Sequence, residues 1–389
     1  MTLEQLSEYL RRGGAATLNH PARYAVADGA VIAPARYAGA RGEGSEFVFE
    51  WRHIDGEFRR TALIDSKGSQ SNRSEDGLLL ARRDGVPASL MPVVEVSYPS
   101  RTLLDLTLPH RALDGHVRAG SQDGVPVVSS PWYRALRDAT AADLSPVFVA
   151  SPATLAFGGW DSTRARGQLR LRSLYVSELY GVVRDGEDTV SKRSGGRMDP
   201  LGQDFHLTPD EFEGLLEGQR EHMSPKTVAA REKDIAAARK KDGATISASK
   251  LGLGGVPPAT EEPFGVSVPE IRRARTYSLA GLRRLRFGGS EEDDVSARSA
   301  LLAMMLLGAA YADADPEIRA YCDVGAPRSE MLLDDEPFDL DISIEACSEF
   351  MANAIERLPS HLAWTGQVQR IDGNAALDRG AAAEAAGDE

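Results

Sequence analysis

Two cysteines in 389 residues, Cys322 and Cys347, offer neither a disulfide framework nor a zinc-ligand spacing, which excludes a stapled secreted scaffold and a thiolate metal centre. Long apolar runs are scarce too. The longest, residues 300–312, falls short of the roughly 18 residues a membrane span needs. The seven histidines, at positions 20, 53, 110, 116, 206, 222 and 361, include no pair at a metal-binding spacing. The glycines of "LGLGGVPP" fail the dinucleotide fingerprint and lack the lysine of a phosphate loop. No nucleophile with a nearby base declares itself, and no cofactor or metal is expected. The N-terminal "MTLEQLSEYLRRGG" interleaves charge with apolar residues and reads as a short amphipathic helix rather than a signal peptide. A cytoplasmic protein with no membrane association is expected.

What is present is unevenly spread. The net charge is −13, but residues 290–389 hold 6 Lys+Arg against 22 Asp+Glu, leaving 39 against 36 in residues 1–289. Basic residues cluster in "RARGQLRLR" (Arg164, Arg166, Arg170, Arg172) and in "IRRARTYSLAGLRRLRF" (Arg272, Arg273, Arg275, Arg283, Arg284, Arg286). Screening confines repulsion to about a Debye length, ~8 Å, so such stripes can bind phosphates on an acidic molecule, or simply be solvated faces.

The stretch "ALIDSKGSQSNRSEDGLLLAR", residues 62–82, passes from strand to helix through Ser66, Lys67, Gly68, Ser69, Gln70, Ser71, Asn72 and Arg73. Hydroxyls, amides and helix N-terminal N–H groups bind phosphate oxygens without reading a base. The alternative is that these residues cap the helix and satisfy one another. Asn72 and Glu75 have the spacing of a capping box, and Gly85 suits the far end. A second group of the same type, "GWDSTRARGQ", offers Ser162, Thr163, Arg164 and Arg166 beside Trp160, which would stack on a base or fill the core.

Along the chain, Asp55-Gly56 marks a hairpin and "MPVVEVSYP" a strand. "PHRALDGHVRAG" reads as a helix with Pro109 in its first turn, and "SPVFVASPATLAFGG" as a strand, a helical turn and a loop. "LRSLYVSELYGVV" favours strand, "TYSLAGLRRLRF" and "ARSALLAMMLLGAAYADA" favour helices, and "EPFDLDISIE" a last strand. Strands and helices in no strict alternation point to an α+β fold around an antiparallel sheet.

"LIDSKGSQSNRSEDGLL", "PHRALDG", "LAFGGWDSTRARGQ", "YVSELYG", "GRMDPLG", "GLGGVPP" and "YSLAGLRRLRFG" occur in that order. Together, over about residues 58–345, they resemble the backbone subunit of type I-G (formerly I-U) CRISPR Cascade surveillance complexes, of the RAMP superfamily. The resemblance implies an RRM-like (ferredoxin-like) palm with inserted finger and thumb elements, many copies of which line one guide RNA. Taken with composition, this divides the chain into residues 1–185, the first part of the palm with an N-terminal extension and a finger; 186–264, a helical, thumb-like insertion; 265–372, the rest of the palm with acidic helices; and 373–389, a disordered tail. The acidic last hundred residues and the tail lie beyond what the resemblance explains. Ser66, Lys67, Ser69, Gln70, Asn72, Arg73, Trp160, Ser162, Thr163, Arg164 and Arg166 would then face RNA. Implied partners are the guide RNA, target DNA paired to it, further copies of the chain, a large subunit, a fused guide-processing subunit and a recruited helicase-nuclease. The subunit itself would not be an enzyme. A metal-dependent ribonuclease using Asp65 or Asp161 stays open as an alternative, and a small-molecule enzyme behind it. Gly68, Ser74 and Gly77 stand where more helix-favouring residues are expected.

Overall fold

The Asp55-Gly56 pair turns the chain with φ of 50° and 83°, the left-handed conformations a two-residue hairpin requires. It joins strands Phe49–Ile54 and Glu57–Asp65. The second strand runs directly into helix Lys67–Asp84, here called the polar helix. The structure, a computed structural model, describes residues 3–39, 45–161, 163, 169–183, 190–194, 196–197, 199–200, 206–256, 259–319 and 321–378.

Two units are distinguished, one comprising residues up to Thr189 with Val266–Ala375 and the other Val190–Gly265. Among the described residues the first unit holds a nine-stranded antiparallel sheet. From one edge it runs Glu336–Pro337, Leu332–Leu333, Thr17–Asn19, Glu270–Ser278, Tyr175–Val182, Glu57–Asp65 and Phe49–Ile54, with Ala22–Ala25 also paired to Glu270–Ser278 and to Arg328–Ser329. Tyr175–Val182 lies in antiparallel register with Glu270–Ser278 from Tyr277 to Glu270. The fold is α+β with RRM-like layering, helices packed on an antiparallel sheet. A second, five-stranded sheet contains the parallel pair Val93–Ser97 and Val368–Asp372.

The core helix, Glu291–Ala314, explains the apolar composition of its sequence. It is long and apolar enough by composition to cross a membrane, yet most of it is buried inside the fold, from Asp294 to Ala310 with few breaks. Ser290 and Asp293 form a reciprocal capping box, and four acids in the first turn suit the positive end of the helix dipole. Where the polar helix crosses it, Gly77 meets Gly308. A Cβ on Gly77 would collide with the Gly308 carbonyl oxygen, and one on Gly308 would lie 2.5 Å from the Ser74 oxygen. Ser74 and Gly77, small residues that looked wrong for a helix, therefore permit this close crossing, whereas a Cβ on Gly68 would meet only Ser66 Oγ at 4.0 Å.

Several local expectations change. The helix cap is Ser66, not Asn72, and Glu75 is buried two turns inside. "SPVFVASPATLAF" forms two short helices, Ser145–Phe148 and Pro152–Phe157, each with proline in its first turn. "PHRALDGHVRAG" breaks into a tight turn at Arg111–Leu113 and a helix at Gly115–Ala119, because the Asp114 carboxylate accepts the His116 N–H at 2.9 Å and restarts the chain there. In "TYSLAGLRRLRF" only Leu279–Leu282 is helical, after the long strand ends at Ser278. "EPFDLDISIE" contributes strand only at Glu336–Pro337, and the last strand is Val368–Asp372 instead.

The second unit has its own small core of Phe212, Leu216, Ile235, Ile246 and Leu251. It is built on helices Pro209–Gln219 and Pro225–Ala238, with strand Val190–Ser194 paired to Ala259–Val266. Of the expected tail, residues 379–389 lie outside the described residues.

Candidate nucleic-acid interface

Strand Glu57–Asp65 ends on a fully buried carboxylate, and that acid organises the head of the polar helix. Asp65 Oδ2 accepts from Gln70 Nε2 and from Arg73 Nε, both at 2.7 Å. Gln70 Oε1 accepts from Ser177 Oγ at 2.9 Å, so both ends of its amide are used within the chain. The Arg73 guanidinium also donates to the carbonyl oxygens of Glu317 and Ile318. Two side chains expected at a phosphate thus bind the protein itself. Ser71 is buried as well.

What faces outward is the other side of the same turn. Ser66, in extended conformation with ψ 169°, accepts the Ser69 N–H at a long 3.4 Å. Helix geometry gives the N–H groups of Lys67 and Gly68 no intrahelical acceptor. The Lys67 side chain is 66 % exposed and 3.9 Å from Glu178, Asn72 is exposed, and Ser66 and Ser69 are half-buried. No acid occupies the first turn.

The second loop begins at Gly158 and Gly159, where a Cβ would strike Leu171, Ser173 and Thr154. Trp160 pairs in register with Arg170, whose guanidinium lies 4.7 Å from the indole centroid, while His110 meets the ring edge-on. Trp160 is 37 % exposed, so of the two roles open to it the core is not where it sits. Asp161 Oδ1 accepts from Thr163 Oγ1 at 2.8 Å and faces Arg118 at 3.2 Å, and Arg118 also donates to Thr163 at 2.6 Å. Ser162, Arg164 and Arg166 lie outside the described residues.

A buried ion pair ties the two regions together. Arg111, held at φ 51°, donates twice to Glu75 of the polar helix, at 2.6 Å each, and once to the Gly158 carbonyl at 2.8 Å. Sequence reasoning missed Arg111 and Arg118. Their signal was weak, since nothing local separates a buried, bidentate arginine from a surface one.

The basic run on Glu270–Ser278 is not a phosphate-binding stripe. Arg272 pairs with Asp55 and Glu270, while Arg273 and Arg275 are buried on Asp313. Arg283 donates to the carbonyls of Tyr9 and Ala15. Arg284 alone of the basic run's six arginines is exposed with no side-chain hydrogen bond or ion pair among the described residues. Burial would raise the Asp313 carboxyl, but Arg275 and Arg273 hold it well below the usual carboxylate range. His20, beside the same arginines, is pushed down to about 3 by burial and by their charge.

Residues 18–185 match the family described as CRISPR-associated protein GSU0053, a stretch that contains the head of the polar helix and the Trp160 loop. No curated protein matches the chain. The family similarity supports a subunit of a CRISPR-associated complex.

Proposed function

We propose that this chain is a guide-RNA-binding backbone subunit of a type I-G CRISPR interference complex, repeated along the guide and presenting it for base pairing with target DNA. The observation that carries the reading is the outward half of the polar-helix head. Lys67, the free N–H groups of the first turn and the hydroxyls of Ser66 and Ser69 form a donor patch with no acid in the helix's own first turn, Glu178 of the neighbouring strand standing 3.9 Å from Lys67, and it lies within the family-matched stretch. The half-exposed Trp160 with a guanidinium over it adds a sequence-tolerant platform for an unpaired base. Contacts of these kinds grip a backbone and leave sequence to the guide, as base pairing on a scaffold requires.

The ribonuclease alternative draws less support. Asp65 and Asp161, the acids it would use, are each already engaged by an arginine, Arg73 and Arg118. One copy has few donors, so a whole guide is held by a head-to-tail row of copies whose length the RNA sets. A large subunit, a fused guide-processing subunit and a recruited helicase-nuclease complete the proposed assembly. Purification from the native host tests the reading: co-purifying RNA of uniform length is expected. Protein free of RNA that cleaves RNA with Mg²⁺, and loses cleavage in Asp65→Ala or Asp161→Ala, overturns it.

A further inference from the structure

Beneath the polar-helix head the palm gathers more positive charge than it neutralises. Arg73, Arg273, Arg275 and Arg319 converge on two carboxylates, Asp65 and Asp313. Arg273 and Arg275 are each 3 % exposed. Their Nε atoms, and that of Arg319, are buried donors without an acceptor. His20 adds another. Its Nδ1 lies 3.4 Å from a guanidinium nitrogen of both Arg273 and Arg275, so Nδ1 must accept and the proton must sit on Nε2, which is also buried and unpartnered. Unpaired buried donors of this number are rare in native proteins, and an uncompensated buried charge is costlier still.

We propose that a monatomic anion of the chloride class binds between Gln70, Arg73, Arg273 and Arg275. These residues, with Tyr24, Leu179, Asp313 and Ile318, line a cavity of about 10 Å³. That is about the volume, on this measure, that holds one water-sized body. A chloride ion, slightly larger than a water, brings both what the Arg273 and Arg275 Nε donors of this lining lack, an acceptor, and what the cluster lacks, negative charge. A water would supply only the first. A phosphate group, with four oxygens around a central atom, is too large, so this site is separate from the outward patch that faces RNA. The anion stabilises the inward arrangement of Gln70 and Arg73, and does not depend on the guide-binding reading.

The full-length protein, stripped of nucleic acid, is melted in gluconate, chloride and bromide at equal ionic strength, and crystals are grown in bromide for anomalous diffraction. A saturable rise of a few degrees in Tm with chloride or bromide over gluconate is expected, since a ligand that binds only the folded state raises its stability with concentration. A bromide peak between Arg73, Arg273 and Arg275 is expected with it. Arg273→Gln, where it folds, loses the halide dependence; where it does not fold, the bromide peak in the unaltered protein decides. Equal melting in gluconate and chloride overturns the proposal, as does a halide effect whose bromide peak lies elsewhere, or a water alone in the cavity.

Discussion

The head of the polar helix and the Trp160 loop are made of the same residue types, hydroxyls, an acid and arginines after a turn, but they use them oppositely. At the helix head the acid is Asp65, at the last position of a central strand and fully buried, and it draws Gln70 and Arg73 inward. At the loop the acid is Asp161, beyond the end of a two-residue strand; it draws Thr163 and Arg118 while Trp160 stays half in solvent. Both carboxylates are buried, Asp65 at 0 % and Asp161 at 7 % exposure, and what differs is which donors each recruits: those of the helix head itself at Asp65, and Thr163 and Arg118 rather than Trp160 at Asp161. A buried carboxylate must be paired, and it recruits the nearest donors whatever else they could bind.

The largest test of that contrast is Asp65→Ala against Asp161→Ala. Removing one partner of a buried charged network typically costs about 3–5 kcal/mol. Asp65→Ala is expected in that range by denaturant unfolding, with Arg73 left unpaired against the Glu317 and Ile318 carbonyls. Asp161→Ala frees Arg118, whose side chain is 22 % exposed and can reach water, and is expected to cost less, about 1–3 kcal/mol, the usual cost of leaving a hydrogen-bonded partner unmet. Equal costs would erase the distinction between the two regions. By the same logic Gln70→Ala and Arg73→Ala, which the sequence alone marks as RNA contacts, are expected to lower Tm.

Acid sensitivity belongs to the inward region. His20 titrates near 3 in the folded protein and near 6.5 when unfolded, so between those values only the unfolded chain takes up the proton. Stability is therefore full above pH 6.5 and lost as pH falls, by about 2 kcal/mol between pH 6.5 and pH 5 from this group alone. His20→Gln is expected to remove that part of the slope. An unchanged slope in the variant would show that His20 is not held neutral by Arg273 and Arg275.

Much of the frame was legible because it rests on local signals. The Asp55-Gly56 hairpin, the strand into the polar helix and the apolar stretch of Glu291–Ala314 each announce themselves through turn chemistry or composition. The site was half legible. Lys67 and Trp160 are where the sequence places them, at an exposed helix start and a glycine loop, whereas Gln70 and Arg73 turn inward because Asp65 and Ser177 meet them, and Ser177 is 107 residues from Gln70. Likewise the arginines of Glu270–Ser278 read as a ligand stripe until Asp55 and Asp313, distant in sequence, are found against them. Long-range ion pairing leaves no periodicity to read.

On the outward side, Trp160→Ala is expected to weaken binding of single-stranded RNA by about 1–3 kcal/mol, the worth of one stacked base, with little change in Tm. Filter binding alongside thermal melts separates the two quantities. A large fall in Tm with affinity unchanged would return Trp160 to a packing role against His110 and Arg170.

Lys67 should give the smallest effect and the sharpest one. Its side chain is exposed and its nearest acid, Glu178, stands 3.9 Å away and already takes a hydrogen bond from Arg52 at 3.0 Å. Exposed pairs of this kind are worth about 0–1 kcal/mol, so Lys67→Ala should leave the unfolding transition almost unmoved. If the ammonium sits on a guide phosphate, its loss should flatten the log–log salt dependence of RNA affinity by roughly one unit, and uniformly across sequences. Arg73→Ala, by contrast, should lower stability while leaving that slope alone, because its guanidinium is bound to Asp65 and two carbonyls. The reverse pattern, an unchanged slope for Lys67→Ala and a flattened one for Arg73→Ala, would mean that the helix head reopens on RNA and that Arg73 leaves Asp65 to do so.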